Sequence, residues 1–362
     1  MIKIIDKYLT IQFVQTIVFG LMTFTVIFVI IDMMENLDDF IDEDVPGKIV
    51  VQYYIVFIPE ILRLMMPVAV LLASLFVAGK MSNQNELTAL KAAGLNLYRF
   101  MTPFLITSLI ISVLSVYFGG YIVPEANKQK VFIERNYMNR NVIKSGSNII
   151  FQDSKNRIVN IGSFNVLIRQ ANRVSIQEFN PVDVTQMVSR IDAVKMKYDT
   201  TSNTWKIYNG TKRNFIYGKE SLKEFSLLEL DYLNFTPDEI VKKQTKAEEM
   251  TLPELEKFAD DQLRSGNNPR RILIDYHSRY AFAFASFVVV LFGLPISSNK
   301  RKGGLAIQFG INVLITFVYL VFMQISKSFG KNGLLEPVLT AWFANIVFFI
   351  AAIFNIIRTS KY

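Results

Sequence analysis

Hydrophobic and polar positions divide the chain into long apolar runs around one polar interior. No charged residue occurs in Tyr8–Ile31, Phe100–Pro124, Tyr280–Asn299, Gly303–Ser326 or Pro337–Ile357. A further apolar stretch, Val50–Gly79, is broken only by Glu60 and Arg63. A helix needs about 20 mainly apolar residues to cross a ~30 Å hydrocarbon core, and every one of these runs reaches that length. Buried helices of water-soluble proteins average about 11–12 residues, which is too short for such runs. The pattern predicts an α-helical membrane protein with six spans, three on each side of the polar interior. The first run is flanked by Lys3 and Lys7, as a signal peptide would be, but it exceeds a signal peptide's usual apolar region. It also lacks an alanine-type cleavage site, the first alanine being Ala69. It is expected to be a retained anchor.

Residues 125–270 change period. Val174 and Ile176 alternate with polar neighbours; Val194, Met196 and Tyr198 oppose Lys195, Lys197 and Asp199; Trp205 and Ile207 oppose Lys206 and Tyr208. This two-residue alternation marks strands. Turn signals separate the runs at Lys144–Asn148, Asn180-Pro181, Thr200–Asn203 and Asn209-Gly210. Short strands with regular turns predict a sandwich or jelly-roll-like β domain. Thr236-Pro237-Asp238-Glu239 and Thr251-Leu252-Pro253-Glu254 then resemble helix starts with acids in the first turn. They predict connecting helices over about 238–265. The expected organisation is therefore spans one to three in 1–124, the β domain in 125–270 and spans four to six in 271–362.

Composition sharpens this picture. Hydrophobic residues make up 51% and charged residues 19%, against about 25% charge in an ordinary soluble protein; the deficit is the spans. The net charge of +8 becomes informative once it is distributed. With the N-terminus inside, the inner segments carry Lys3, Lys7, Lys80, Lys91, Arg99, Lys300, Arg301, Lys302, Arg358 and Lys361 against only Asp6 and Glu86. The first outer loop is acidic, with Asp32, Glu35, Asp38, Asp39, Asp42, Glu43 and Asp44. The positive-inside rule then places both termini in the cytoplasm and the β domain on the far side. The absence of cysteine excludes disulfides, Cys-containing zinc sites and thiol nucleophiles. The single histidine, His277, leaves no basis for a His-based metal cage.

No Walker A loop, G-x-S-x-G elbow or H-E-x-x-H helix occurs. The dispersed basic residues form no nucleic-acid stripe. Three features remain. Between spans two and three, Glu86–Ala93 favours helix and Gly94 suits its end. Leu87 and Leu90 share one face, so this short helix with its carboxylate is either a key for a groove on a soluble partner or a plain connector. Glu60 and Arg63 stand at i, i+3 inside the second span, where charge is expensive. They are a self-neutralising pair, or Arg63 meets an anionic lipid headgroup together with Arg279, Lys327 and Lys331. Finally, Gly119-Gly120, Gly293-Leu-Pro295, Gly303-Gly304 and Gly310 allow close packing or bending.

Several stretches, in order, resemble one known family, the LptF/LptG permeases of lipopolysaccharide export. They are Pro67–Leu72 before Asn85–Gly94, Met250-Thr-Leu-Pro-Glu-Leu255, His277-Ser-Arg279 before Gly293-Leu-Pro-Ile-Ser297, and Glu336-Pro-Val-Leu-Thr-Ala-Trp342. The resemblance covers nearly the whole chain. It implies a permease subunit that pairs with a second LptF/LptG-type permease on a cytoplasmic LptB-type ATPase dimer. Such a pair takes lipopolysaccharide from the inner membrane and passes it through periplasmic jelly rolls to LptC- and LptA-type proteins. It further implies that the Glu86 helix, with Leu87, Leu90 and Gly94, contacts the ATPase, and that ATP and Mg bind that partner, with no cofactor on this chain. Glu60 and Arg63 match no established motif of the family, and the assignment of Arg63, Arg279, Lys327 and Lys331 to a lipid headgroup rests on their positions alone. The competing readings are a permease of another envelope lipid or lipoprotein ABC system, usually with four spans, and a membrane-anchored envelope enzyme.

Overall fold

The computed structural model describes residues 4–138, 149–165, 168–200, 202–216, 219–237, 240, 246–264, 268–297 and 304–360. The turn at Lys144–Asn148, most of the first connecting helix after Thr236, and Lys300–Lys302 lie outside the described residues. The chain separates into a helical unit, Met1–Ile133 with Ala247–Ala259 and Arg270–Tyr362, and a sheet unit, Glu134–Lys246 with Asp260–Pro269.

In the helical unit, α1 (Ile4–Asp42), α2 (Gly47–Asn83) and the short α3 (Glu86–Ala92) precede α4 (Leu97–Tyr117). A π-helical turn, Phe118–Ile122, joins α4 to α5 (Val123–Tyr137). After the β domain come α6 (Leu252–Arg264), α7 (Arg270–Ala283), α8 (Ala285–Ser297), α9 (Gly304–Lys331) and α10 (Pro337–Ser360). Among the described residues, six helical segments are long and apolar enough to cross a membrane: α1, α2, α4 continued through α5, α7 continued into α8, α9 and α10. The predicted arrangement of three spans, an inserted β domain and three spans is the one observed. Spans two and four form the interior, with 56% and 72% of their apolar windows buried, whereas the first span has 11%. Phe13, Val70, Leu71, Phe100, Phe104, Val289, Val290 and Tyr319 anchor the shared core.

The helices run beyond the apolar stretches that announce them. The acidic segment expected as a loop is helical from Asp32 to Asp42, and the chain reverses only through Glu43–Pro46. Loss of hydrophobicity does not end a helix; a breaker does. Here the breakers are Asp44, at φ 48°, and Pro46. Asn36 and Phe40 are buried on one face of this extension, and Phe40 meets Tyr53 edge-on at 5.6 Å between centroids.

In the sheet unit, β1 (Ile149–Ser154), β2 (Arg157–Asn165), β3 (Gln170–Phe179), β4 (Met187–Asp199), β5 (Thr204–Ile216) and β6 (Lys219–Leu230) form one antiparallel sheet in chain order. Phe151, Val159, Ile161, Val174, Ile176, Ile191, Met196, Trp205 and Ile207 line its buried face. A flat sheet would hold β1 and β5 about 19 Å apart. Phe235 nevertheless lies 4.8 Å from the Phe151 ring and 5.2 Å from the Trp205 ring, centroid to centroid. The sheet therefore curls around its core. Trp205 Nε1 donates to the Phe235 carbonyl at 2.8 Å, pinning the segment after β6 across that core.

One strand pattern differs from expectation. Met196 is buried, but Val194, assigned to the same face, is 64% exposed. The pairing register sets Gly162, Arg173, Val194 and Asn209 side by side. Arg173 and Asn209 in that row have left-handed backbones, at φ 53° and 51°. Such residues turn the strand by half a pleat, so the face that points inward changes along this row.

Candidate functional site

The first candidate is α3. Gly94 closes it at φ 85°, a region open to glycine. Leu95 N donates to the Leu90 carbonyl at 2.9 Å, the six-to-one bond of a Schellman end. Asn96 then caps α4, its side chain accepting from Tyr98 N. Leu87 is 3% exposed and Leu90 packs on the same core as α2 and α4. The two leucines thus seat the helix in the chain's own interior. The face left open holds Thr88, Ala89, Ala92 and Ala93, with Glu86 half-buried beside it. Nearby, Arg99 pairs with Asp6 at 2.5 Å, tying the start of α4 to the start of α1.

The second candidate lies at the other end of the helical unit. Arg63 stands 20 residues before the last residue of α2, about 30 Å along the axis, which is the thickness of a hydrocarbon core. Its guanidinium takes Glu60 at two points, Nη2 to Oε1 at 2.5 Å and Nε to Oε2 at 3.0 Å. The self-pairing read from the i, i+3 spacing is therefore present. An unpaired arginine within a span costs about 2.5–3.5 kcal/mol on insertion scales, so the pair eases Arg63 into the apolar layer. Arg63 also lies over the Phe282 ring, 5.7 Å from its centroid.

The remaining sequence-identified cations converge here. Arg279 Nη2 donates to the Ala247 carbonyl at 2.5 Å, while its buried Nη1 has no hydrogen-bond partner among the described residues. Arg63 and Arg279 line one small cavity of about 20 Å³ with Ser115, Phe118, Phe282 and Ser286. Lys331 pairs with Asp275 at 3.2 Å. Lys327 lies within electrostatic reach of Asp275, Lys331, Arg63 and Glu248. Four cations from spans two, four and five are thus gathered with fewer carboxylates. Such a gathering of positive charge has the chemistry to accept an anion. No group of acidic or histidine side chains among the described residues is arranged to hold a metal.

Sequence reasoning missed the residues that assemble the cluster. Asn127 Nδ2 lies 3.4 Å from both Glu60 Oε2 and the Glu248 carbonyl, joining α5, α2 and the segment before α6. Lys128 bridges Glu125 and Glu254 at 3.1 and 3.0 Å. Glu254 in turn accepts from Thr251 N at 2.7 Å and from its hydroxyl at 2.9 Å, a capping-box return. The spacing of Thr251 and Glu254 carried that signal; nothing local announced Asn127. Burial alone would raise the Glu254 pKa, but the bonds from Thr251 and Lys128 outweigh it and hold the carboxyl below its ordinary value.

The sequence matches the family described as lipopolysaccharide export system permease LptF/LptG over residues 7–358. Among curated relatives it is similar to the lipopolysaccharide export system permease protein LptF of Escherichia coli strain K12 and to that of Shigella flexneri. Each is 21% identical over 365 residues, covering 97% of this chain and 93% of the relative. With six apolar helices and an inserted antiparallel sheet beside a match of that extent, the chain belongs to the LptF/LptG family of lipopolysaccharide export permeases.

Proposed function

We propose that the chain is one of two permease subunits of an ABC transporter that lifts lipopolysaccharide out of the inner membrane and passes it to a periplasmic bridge. The membership of a permease family and the convergence of Arg63, Arg279, Lys327 and Lys331 at one end of the spans support this reading. Arg63 and Arg279 contact headgroup phosphate, with the lysines at its rim. The spans bound the cavity for acyl chains, together with a second LptF/LptG-type subunit. The β domain of about 125–270 is periplasmic, both termini are cytoplasmic, and LptC- and LptA-type proteins receive the lipid.

In this reading the chain binds no cofactor and hydrolyses nothing. ATP and Mg belong to a separate LptB-type ATPase dimer. The open face of α3 and Glu86 meet that ATPase, Leu87 and Leu90 transmit the movement into the core, and Gly94 fixes the end of the lever. Closure of the ATPase narrows the cavity and drives the lipid toward the β domain. The observation that carries the coupling claim is the seating of Leu87 in the same core as Phe100, Phe104 and Leu71, because a lever must grip the body it moves. Glu86→Lys, assayed for ATP-driven lipopolysaccharide release from proteoliposomes, is expected to lower release at least about tenfold, as loss of a charge-assisted contact does. Release at the unaltered rate would reject the role.

A further inference from the structure

Within the cationic cluster the carboxylate of Glu60 is the group that stands against the reception of an anion at Arg63. Its two oxygens occupy the Nε–Nη2 edge of Arg63, at 3.0 and 2.5 Å. A guanidinium offers the same fork to a carboxylate as to a phosphate, so Glu60 holds the edge that an arriving phosphate would take. The neighbouring cations are engaged differently. Arg279 has one buried nitrogen, Nη1, without a hydrogen-bond partner among the described residues, and Lys331 is held by Asp275 rather than by Glu60. Glu60 also has somewhere else to go. Asn127 Nδ2 stands 3.4 Å from its Oε2 on the side of α5, a neutral donor that can retain the carboxylate when Arg63 lets go.

We propose that Glu60 is a built-in rival of the lipid phosphate for Arg63. On loading, phosphate replaces the carboxylate on the guanidinium and Glu60 shifts toward Asn127. On release, Glu60 returns to Arg63 and displaces the phosphate. The exchange leaves Arg63 paired at every stage, so the departing lipid does not expose a bare charge in the apolar layer. Glu60 is thereby a residue that sets how tightly phosphate is held and how readily it leaves. This inference rests on the reading of Arg63 as a headgroup contact. A carboxylate that merely neutralised Arg63 for insertion would have no such opposed effects on binding and release.

Glu60→Gln keeps the shape and the Asn127 contact but removes the competing charge. In proteoliposomes holding the assembled transporter, lipopolysaccharide retained in the absence of ATP is expected to rise about fivefold, the scale of a partly exposed ion pair. ATP-driven release should fall by a similar factor. With lipopolysaccharide stripped of its lipid A phosphates the gain should vanish, and excess inorganic phosphate should compete with loading only weakly. Asn127→Leu, which spares the ion pair but removes the second resting place, should lower loading about threefold. A fall in both loading and release in Glu60→Gln, or a gain that persists in the Glu60→Gln, Arg63→Ala double variant, would overturn the rival role. If Arg63→Ala alone leaves loading unchanged, the headgroup reading itself fails.

Discussion

At the scale of single residues, the β domain depends on one buried polar knot. Arg157 donates from Nη1 to Asp153 at 2.8 Å, from Nε to Glu178 at 2.9 Å and from Nη1 to the Tyr232 carbonyl at 2.9 Å. The Asp153 side chain is 1% exposed and also accepts from Asn234 N at 3.1 Å. The knot thus fastens β1 and β2 to the segment that leaves β6, closing the curl that Phe235 fills. Removing one partner strands a buried charge, which costs about 3 kcal/mol or more. Arg157→Met is expected to lower the unfolding temperature of the β domain, followed by Trp205 fluorescence in a Trp342→Phe background. Replacing Asp153 and Arg157 together with apolar residues should recover part of the loss. An unchanged midpoint in the single variant would show that the knot does not stabilise the domain.

At the scale of elements, the segment from Ala247 to α6 is docked onto the helical unit by a close approach. A Cβ on Gly120, in the π-helical turn, would stand 2.4 Å from Leu252 Cδ1 and 2.9 Å from its Cγ. Gly120→Val should therefore destabilise the protein by about 1–3 kcal/mol, and Leu252→Ala should relieve the clash; thermal unfolding of the single and double variants tests this. The Glu254 cap adds a pH dependence. Because its folded pKa is lowered, its contribution is intact above the ordinary glutamate value of 4.5 and fades as pH falls below it. Glu254→Gln should erase that acid-side loss, and an acid limb identical in both proteins would contradict the assignment.

These elements show what was legible in the chain and what was not. The spans could be read directly, since a charge-free run of 20 or so residues has few alternatives in water. The sheet could be read wherever alternation was regular, as at Val174, Ile176, Trp205 and Ile207. It was misread at Val194, because the left-handed row through Arg173 and Asn209 is a property of several strands together. The helical run from Asp32 to Asp42 was not legible, because polar residues continue a helix without any change in the apolar pattern to announce it. The cations of the site could each be named, and the Glu60–Arg63 pair followed from spacing. Asn127, Ala247 and Glu248 could not be found, since they join the cluster through contacts between distant segments.

At the scale of the molecule, the helical unit has the short helix α3 at one end and a cationic cluster at the other, separated by about the thickness of a bilayer core. Accessibility of single cysteines on this cysteine-free chain should place Ala92 inside and Val182 outside; labelling of both from the same side would invert or reject the proposed orientation. On the proposed reading, the lipopolysaccharide headgroup rests against Arg63 and Arg279, beside their small cavity, and leaves them when ATP is hydrolysed. A photo-crosslinking residue at Phe282, which lines that cavity, tests it most directly in proteoliposomes containing the assembled transporter. A lipopolysaccharide adduct that forms before ATP is added and declines as ATP is consumed is the expected result. Arg63→Ala should weaken this adduct. No adduct at this position, or one indifferent to ATP, would contradict the proposed reading.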